Sequence, residues 1–262
     1  MTLTIQQVID RILEDIPGAP FSDTVDTFKT GDPAQPVTGI VTTFLASCDV
    51  LQQAINLSAN LIITHEPTFY NHRDEIHWLQ DNAVYQAKRR LIDDHQLVIW
   101  RFHDYWHRHR PDGILTGVLG ALEWTPFVDN EQPHIVNLPP LPLRDVVKHL
   151  KSKLGAQTVR VMGAPDLACQ RIGLMVGSPP AQWQIGALAG DIDVLVTGEI
   201  NEWETSEYVR DVIYQGHNKA LVIVGHELSE EPGMAYLVQW LRKRFPGIAI
   251  THIPTGDPFR FE

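Results

Sequence analysis

Leu61-Ile62-Ile63-Thr64-His65-Glu66-Pro67 is an apolar run of strand length that ends in an imidazole, a carboxylate and a proline. In the other half of the chain, Val222-Ile223-Val224-Gly225-His226-Glu227-Leu228-Ser229-Glu230 repeats the plan. Short apolar runs bounded by turn residues read as strands buried in a layered sheet. Imidazole and carboxylate groups at strand ends offer lone pairs from a rigid base, which is what a metal site needs. Two such ends, one in each half, point to a metal site where the halves meet.

Working outward from these stretches, the periodicity alternates between strand and helix. Apolar residues at Ile5, Val8, Ile9, Ile12 and Leu13 form a helical stripe, and residues 37–45 and 97–102 read as strands. Asp49 fits an N-cap or first-turn acid, and residues 75–95 and 114–123 read as mainly helical. Around residues 128–142 the pattern breaks at Pro133, Pro139, Pro140 and Pro142, the best candidate for a change of lobe. Beyond it come a helix over 143–154 and strands over 171–176, 193–197 and 220–224. Ser178-Pro179 resembles a helix start, and the last helix is expected over 234–244. The expected architecture is therefore α/β, with an N-terminal lobe over 1–130 and a C-terminal lobe over 131–262.

Composition narrows the classes. With 262 residues, 44% hydrophobic and 20% charged, the chain is long enough for sizeable cores and too apolar for wholesale disorder. A formal net charge of -11 argues against a general electrostatic grip on nucleic acid or anionic membrane. Arg101, Arg108 and Arg110 remain candidates for a local basic patch. The opening residues carry no charged and apolar signal segment, and no apolar stretch approaches the ~18 residues of a spanning helix, so a cytoplasmic location is expected. Cys48 and Cys169 lie in apolar surroundings and read as buried free thiols.

Three polar segments carry the chemistry. If a helix begins just after Val224, His226 and Glu230 share one face at i,i+4, a common geometry for two ligands; the same pattern also suits an exposed helix start with acids at its positive end. His65 and Glu66 at a strand end can turn into one cavity or face solvent as a capping pair. His103, His107 and His109 fall within one short stretch with Arg108 and Arg110, and taken alone this reads equally as an anion patch, loop surface or ligand group. Glu230 stands where the zinc-protease H-E-x-x-H motif needs its second histidine, so that motif fails. Gly173, Gly177, Gly186 and Gly190 compose neither a dinucleotide fingerprint nor a phosphate loop.

Taken in order, Thr64-His65-Glu66-Pro67, His103-Asp104-Tyr105-Trp106-His107, Asp112-Gly113, Thr197-Gly198-Glu199, Gly225-His226-x-x-x-Glu230 and Asp257-Pro258-Phe259 resemble the Nif-three-like family over nearly the whole chain. That family is often labelled GTP cyclohydrolase I type 2 homologue. Its pattern has His-His-Pro where this chain has His65-Glu66-Pro67, and His-x-x-x-Asp where this chain has His103 and His107. It also has a histidine after Thr-Gly-Glu, where this chain has Asn201, Glu202 and Trp203. The first two exchanges offset each other. The implied metal ligands are His65, Glu66, His107, His226 and Glu230, still three imidazoles and two carboxylates.

The resemblance implies two similar α/β lobes with mixed sheets flanked by helices and a dinuclear site in the cleft between them. It also implies a ring-shaped homohexamer. The donor mixture suits two divalent ions among Zn, Fe, Mn, Co and Ni, and paired ions about 3.5–4 Å apart suit metal-assisted hydrolysis of a small, nucleotide-like substrate. His103 is expected to transfer protons or support a ligand, and Glu199 to face the site or hold a turn. The competing class is a metal-binding or regulatory interaction protein without turnover.

Overall fold

The computed structural model describes residues 3–260, which form two contact units. Of these, the first comprises residues 3–114 and 233–256, and the second 115–232 and 257–260, so two of the three crossings between them fall inside helices. In chain order the first unit holds α1 (Ile5–Leu13), β1 (Phe28–Thr30), β2 (Ile40–Thr43), α2 (Cys48–Asn56), β3 (Leu61–Thr64), α3 (Ala83–Asp94), β4 (Val98–Arg101) and α4 (Asp104–Arg108). The crossing helix α5 is Gly113–Ala121. There follow β5 (Ile135–Pro142), α6 (Leu143–Leu154), β6 (Arg160–Met162), β7 (Ala168–Met175), α7 (Ala181–Ala189), β8 (Val194–Thr197), a π-helical turn (Glu202–Ser206), α8 (Glu207–Tyr214) and β9 (Ala220–Ile223). Helix α9 (His226–Arg244) leads back to the first unit and to β10 (Ile250–His252).

Among the described residues the first sheet has the order β1-β4-β3-β2-β10, and the second β5-β7-β8-β9-β6. In the first, β4, β3, β2 and β10 run parallel and β1 is antiparallel. In the second, β7, β8 and β9 run parallel between antiparallel β5 and β6. Every residue of β2, β3, β4, β8 and β9 is buried, as expected for parallel strands covered on both faces. The α/β layering is that expected from the alternating periodicity, and the two mixed sheets flanked by helices are those the family resemblance implies.

Local chemistry explains the element ends. Thr4 caps α1 with Gln7 closing a capping box, and the helix buries Ile5, Val8, Ile9 and Ile12. Ser47 caps α2, leaving Asp49 as a first-turn acid. Cys48 is the first residue of that helix and is exposed, contrary to the expected buried thiol, because the apolar stripe of α2 is Val50, Leu51 and Ala54. Ser178 caps no helix: α7 starts later, at Ala181 after Pro180. The proline-rich stretch forms β5, and strand prolines belong at a sheet edge, where a missing N–H leaves no central ladder bond unmade. Its register is irregular between Asn137 and Leu141, the interval that holds Pro139 and Pro140. No described helix is long and apolar enough to cross a membrane.

One close approach fixes α4 against α5. A Cβ on Gly113 would lie 2.1–2.4 Å from the indole of fully buried Trp106. The Trp106 indole N–H donates to the Gly233 carbonyl at 3.3 Å, so the ring cannot swing away. Gly113→Ala, which in an open helix would stabilise by about 0.5–1 kcal/mol, is expected here to lower stability by about 1–3 kcal/mol through overpacking. A urea unfolding midpoint moving to lower concentration checks this; an unchanged or higher midpoint contradicts it.

Candidate metal centre

In the first unit the site is built at the carboxyl ends of β3 and β4, which are hydrogen-bonded neighbours. His65 is the first residue after β3 and is wholly buried. Its Nδ1 lies 3.3 Å from the Phe102 carbonyl, which can only accept, so Nδ1 carries the proton and Nε2 the lone pair. His103 is the N-cap of α4 and His107 lies within the helix one turn further on. The Nδ1 of His103 donates to Asp104 at 2.9 Å and that of His107 to Asp112 at 3.0 Å, leaving both Nε2 atoms as lone-pair donors. The rings crowd together, His65 stacking on His103 at 4.6 Å and standing edge-on to His107 at 5.1 Å. One nitrogen from each lies within 4.8 Å of the others. Imidazoles oriented through Nδ1 by a carbonyl or carboxylate are the usual form of metal-ligating histidine, so the donor set fits a divalent transition ion.

Electrostatics agree with a neutral His103. Burial, opposed by the Asp104 hydrogen bond and reinforced by the neighbouring imidazoles, pulls the pKa of His103 down to about 4. At neutral pH it therefore offers a lone pair rather than a charge. The hydrogen bond from His103 holds Asp104 well below the usual carboxylate range, against the opposing effect of burial. Asp26 accepts the backbone N–H groups of His103 (2.8 Å) and Tyr105 (2.7 Å) and so fixes the start of α4. Its burial outweighs those bonds and raises its pKa to about 6.

Glu66 turns toward the same place, its Oε1 3.7 Å from His103 Nε2. Arg101, the last residue of β4, is fully buried beneath this corner and is not part of a surface basic patch. Its Nε donates to the His65 carbonyl at 3.0 Å, Nη1 to the His72 carbonyl, and Nη2 to Glu66 at 3.4 Å. Arg108 and Arg110 are exposed, Arg108 lying over the Phe21 ring at 5.6 Å.

The second unit carries its own cluster at the carboxyl ends of β8 and β9. Helix α9 begins at His226, so the i,i+4 pair forms as the spacing anticipates, with His226 Nε2 3.1 Å from Glu230 Oε2. The other nitrogen, Nδ1, faces Glu199 at 3.3 Å. One imidazole therefore bridges two carboxylates, Glu199 through Nδ1 and Glu230 through Nε2. The hydrogen bond to His226 lowers the pKa of Glu199, with burial opposing it. Ser229 locks the turn, donating to the His226 carbonyl (2.7 Å) and accepting from the Gly177 N–H (2.8 Å). Gly177, at φ +70°, leaves room for Glu230, whose Oε1 would meet a Cβ there at 2.3 Å.

A family model described as Duf34/NIF3 (NGG1p interacting factor 3) matches residues 5–258. The chain belongs to the Duf34/NIF3 family. Two relatives named GTP cyclohydrolase 1 type 2 homolog are similar at low identity. The one from Chlamydia pneumoniae is 22% identical over 88% of this chain and 89% of its own, and the one from Clostridium perfringens 23% over 97% and 98%. The solved structure of a Bacillus cereus protein related to NIF3 superposes with a TM-score of 0.78 at 16% identity, covering 100% of this chain and 99% of that one. That likeness establishes the fold.

Of the residues expected at the site, the first unit of this NIF3 chain gathers His65, Glu66, His103 and His107, and the second gathers Glu199, His226 and Glu230. His103 joins His65 and His107 as the third imidazole of its cluster. Sequence reading missed Asp112 as the partner of His107 and Asp26 as the anchor of α4; the first was visible only as the acid before Gly113, and the second is remote in sequence. Asp112→Ala is expected to free the His107 ring and weaken binding of Zn or Mn about 10- to 100-fold, with the thermal midpoint of the metal-free protein nearly unchanged. Competition titration against a chelating dye measures it, and undiminished affinity would remove Asp112 from the site.

Proposed function

We propose that this chain is a metal-dependent hydrolase holding two divalent ions, with His65, Glu66, His107, His226 and Glu230 as donors. The observation that supports this most directly is the convergence of three buried or half-buried imidazoles, each oriented through Nδ1 by an oxygen acceptor and with one nitrogen of each within 4.8 Å of the others. Converging imidazoles of this kind are the donor type that divalent transition ions take. The relatives named GTP cyclohydrolase 1 type 2 homolog support a cyclic or nucleotide-like substrate without specifying it.

The bound ions supply Lewis acidity, polarising the substrate and lowering the pKa of water. The protein's residues do the rest. Arg101 and Asp26 hold the His65–Glu66 corner and the start of α4 rigid, which keeps the donors in place without reorganisation. His103, neutral at pH 7, accepts a proton at Nε2 or serves as a further donor, with Asp104 holding its ring. Glu199 accepts the N–H of His226 and keeps one edge of its carboxylate toward solvent and substrate. The same reading includes a cytoplasmic hexameric ring acting on a small molecule, with neither nucleic acid nor membrane as partner.

Elemental analysis of purified protein reloaded with Zn, Mn, Fe, Co or Ni is expected to give about two ions per chain. A panel of nucleotides, phosphoesters and cyclic amides should then show hydrolysis that His226→Ala abolishes. Tight metal retention with no turnover on any of them would favour a metal-binding role instead. Single substitutions Glu66→Ala and His107→Ala should each lower occupancy; full occupancy in both would refute the offsetting exchange of carboxylate and imidazole.

A further inference from the structure

Two tryptophans of the second unit stand in water on the sheet edge that carries Glu199 and His226. Trp203 is 76% exposed and Trp183 62%. Indoles are highly buried on average, so a pair left out on adjoining segments calls for an explanation. Trp183 lies in the first turn of α7, which follows β7, and Trp203 in the π-helical turn that follows β8. Glu199 and His226 follow β8 and β9. All four residues thus leave the carboxyl ends of three adjacent parallel strands, the edge at which open α/β sheets bind ligands.

A buried amide ties these segments together. Gln184, the neighbour of Trp183, is wholly buried. Its Nε2 donates to the carbonyls of Pro179 (3.2 Å) and Glu199 (2.8 Å), and its Oε1 accepts the hydroxyl of buried Thr205 (2.5 Å), two residues beyond Trp203. One side chain therefore fixes the start of α7, the backbone of Glu199 and the π-helical turn as a single body. Isolated π-helical turns are rare and concentrate at functional sites. The local charge selects the ligand: Glu199, Glu202, Glu204 and Glu207 fall within nine residues that contain no cationic side chain, and of these Glu202 is met by Arg160 and Glu207 by Arg210, while Glu199 and Glu204 meet no arginine among the ion pairs of the described residues. Such a lip disfavours a phosphate and tolerates a neutral or cationic ring.

We propose that Trp203, supported by Trp183, is the stacking face of a subsite for a planar nitrogen heterocycle, neutral or cationic, presented beside Glu199 and His226. Stacking on an indole is available to any such ring through its π-face. The half-exposed Glu199 carboxylate is placed to accept a ring or exocyclic N–H. This deepens the hydrolase reading and rests on it for its purpose, since it makes the heterocyclic part of the substrate the part that is recognised.

The test is binding of adenosine, guanosine and cytidine to the full-length, chelator-treated protein, followed by tryptophan fluorescence and calorimetry, with ribose as the ring-free control. The wild type should bind at least one nucleoside and not ribose, and guanosine monophosphate no more tightly than guanosine. Trp203→Leu should weaken binding about ten- to a hundredfold, Trp203→Phe should restore most of it, and Trp183→Leu should cause a smaller loss. Failure of all three nucleosides to bind, or equal binding by Trp203→Leu, overturns the proposal. So does a Trp203→Leu protein whose sedimentation changes while its nucleoside affinity does not, because the ring then belongs to a contact between copies. The two readings fail separately. A metal-loaded wild type that binds nucleosides without hydrolysing any substrate removes the hydrolase and leaves the subsite, whereas turnover with the same KM in Trp203→Leu removes the subsite and leaves the hydrolase.

Discussion

The first unit depends on a single buried guanidinium. Arg101 ends β4 without reaching solvent, and its fork binds the carbonyls of His65 and His72 and the carboxylate of Glu66. A cation in that position is expensive unless its donors are satisfied, and satisfying them forces the chain after β3 into one path. The path carries His65 against Phe102 and turns Glu66 toward His103. The guanidinium brings its positive charge on a rigid planar fork, so the corner is held in one geometry. The same fixed charge helps retain an acidic side chain amid crowded imidazoles.

The second unit reaches a comparable result by different means. There the backbone makes room. Gly177 admits Glu230, and a Cβ on Gly198 would collide with the Gly177 carbonyl and the Ser229 hydroxyl. Ser229 and Gln184 then stitch the strand ends to the helices. Charge organises one cluster and close packing of small residues the other. Both rest on parallel strands whose ends are held in register by the ladder, so the donors inherit the rigidity of the sheet.

The parts legible in the sequence were those with strong local signals. The apolar run Leu61–Thr64 and the stripe of α1 were read to within a residue, because each buries a continuous surface that the pattern displays directly. The i,i+4 relation of His226 and Glu230 was legible once a helix start was assumed, yet the helix itself was expected only from Met234. Pro232-Gly233 reads as a break, whereas Pro232 lies within α9. The short strands β1, β6 and β10 were invisible: each is three residues long and gains its bonds from partners far away in sequence. Orienting groups were hidden for the same reason, since neither the Phe102 carbonyl nor Asp26 advertises its histidine partner by spacing. Arg101 looked like surface charge because composition does not reveal burial.

The prolines of β5 bear on how the protein behaves in a crowded solution. An outermost strand ordinarily presents a row of free N–H and C=O groups that can recruit a strand from another molecule. Pro139 and Pro140 are exposed on such a strand, lack the N–H groups that recruitment would use, and interrupt its register. That margin of the second sheet is therefore a poor template for runaway stacking. A copy associating along the proline interval of this margin would rely on side chains more than on a continuous backbone ladder.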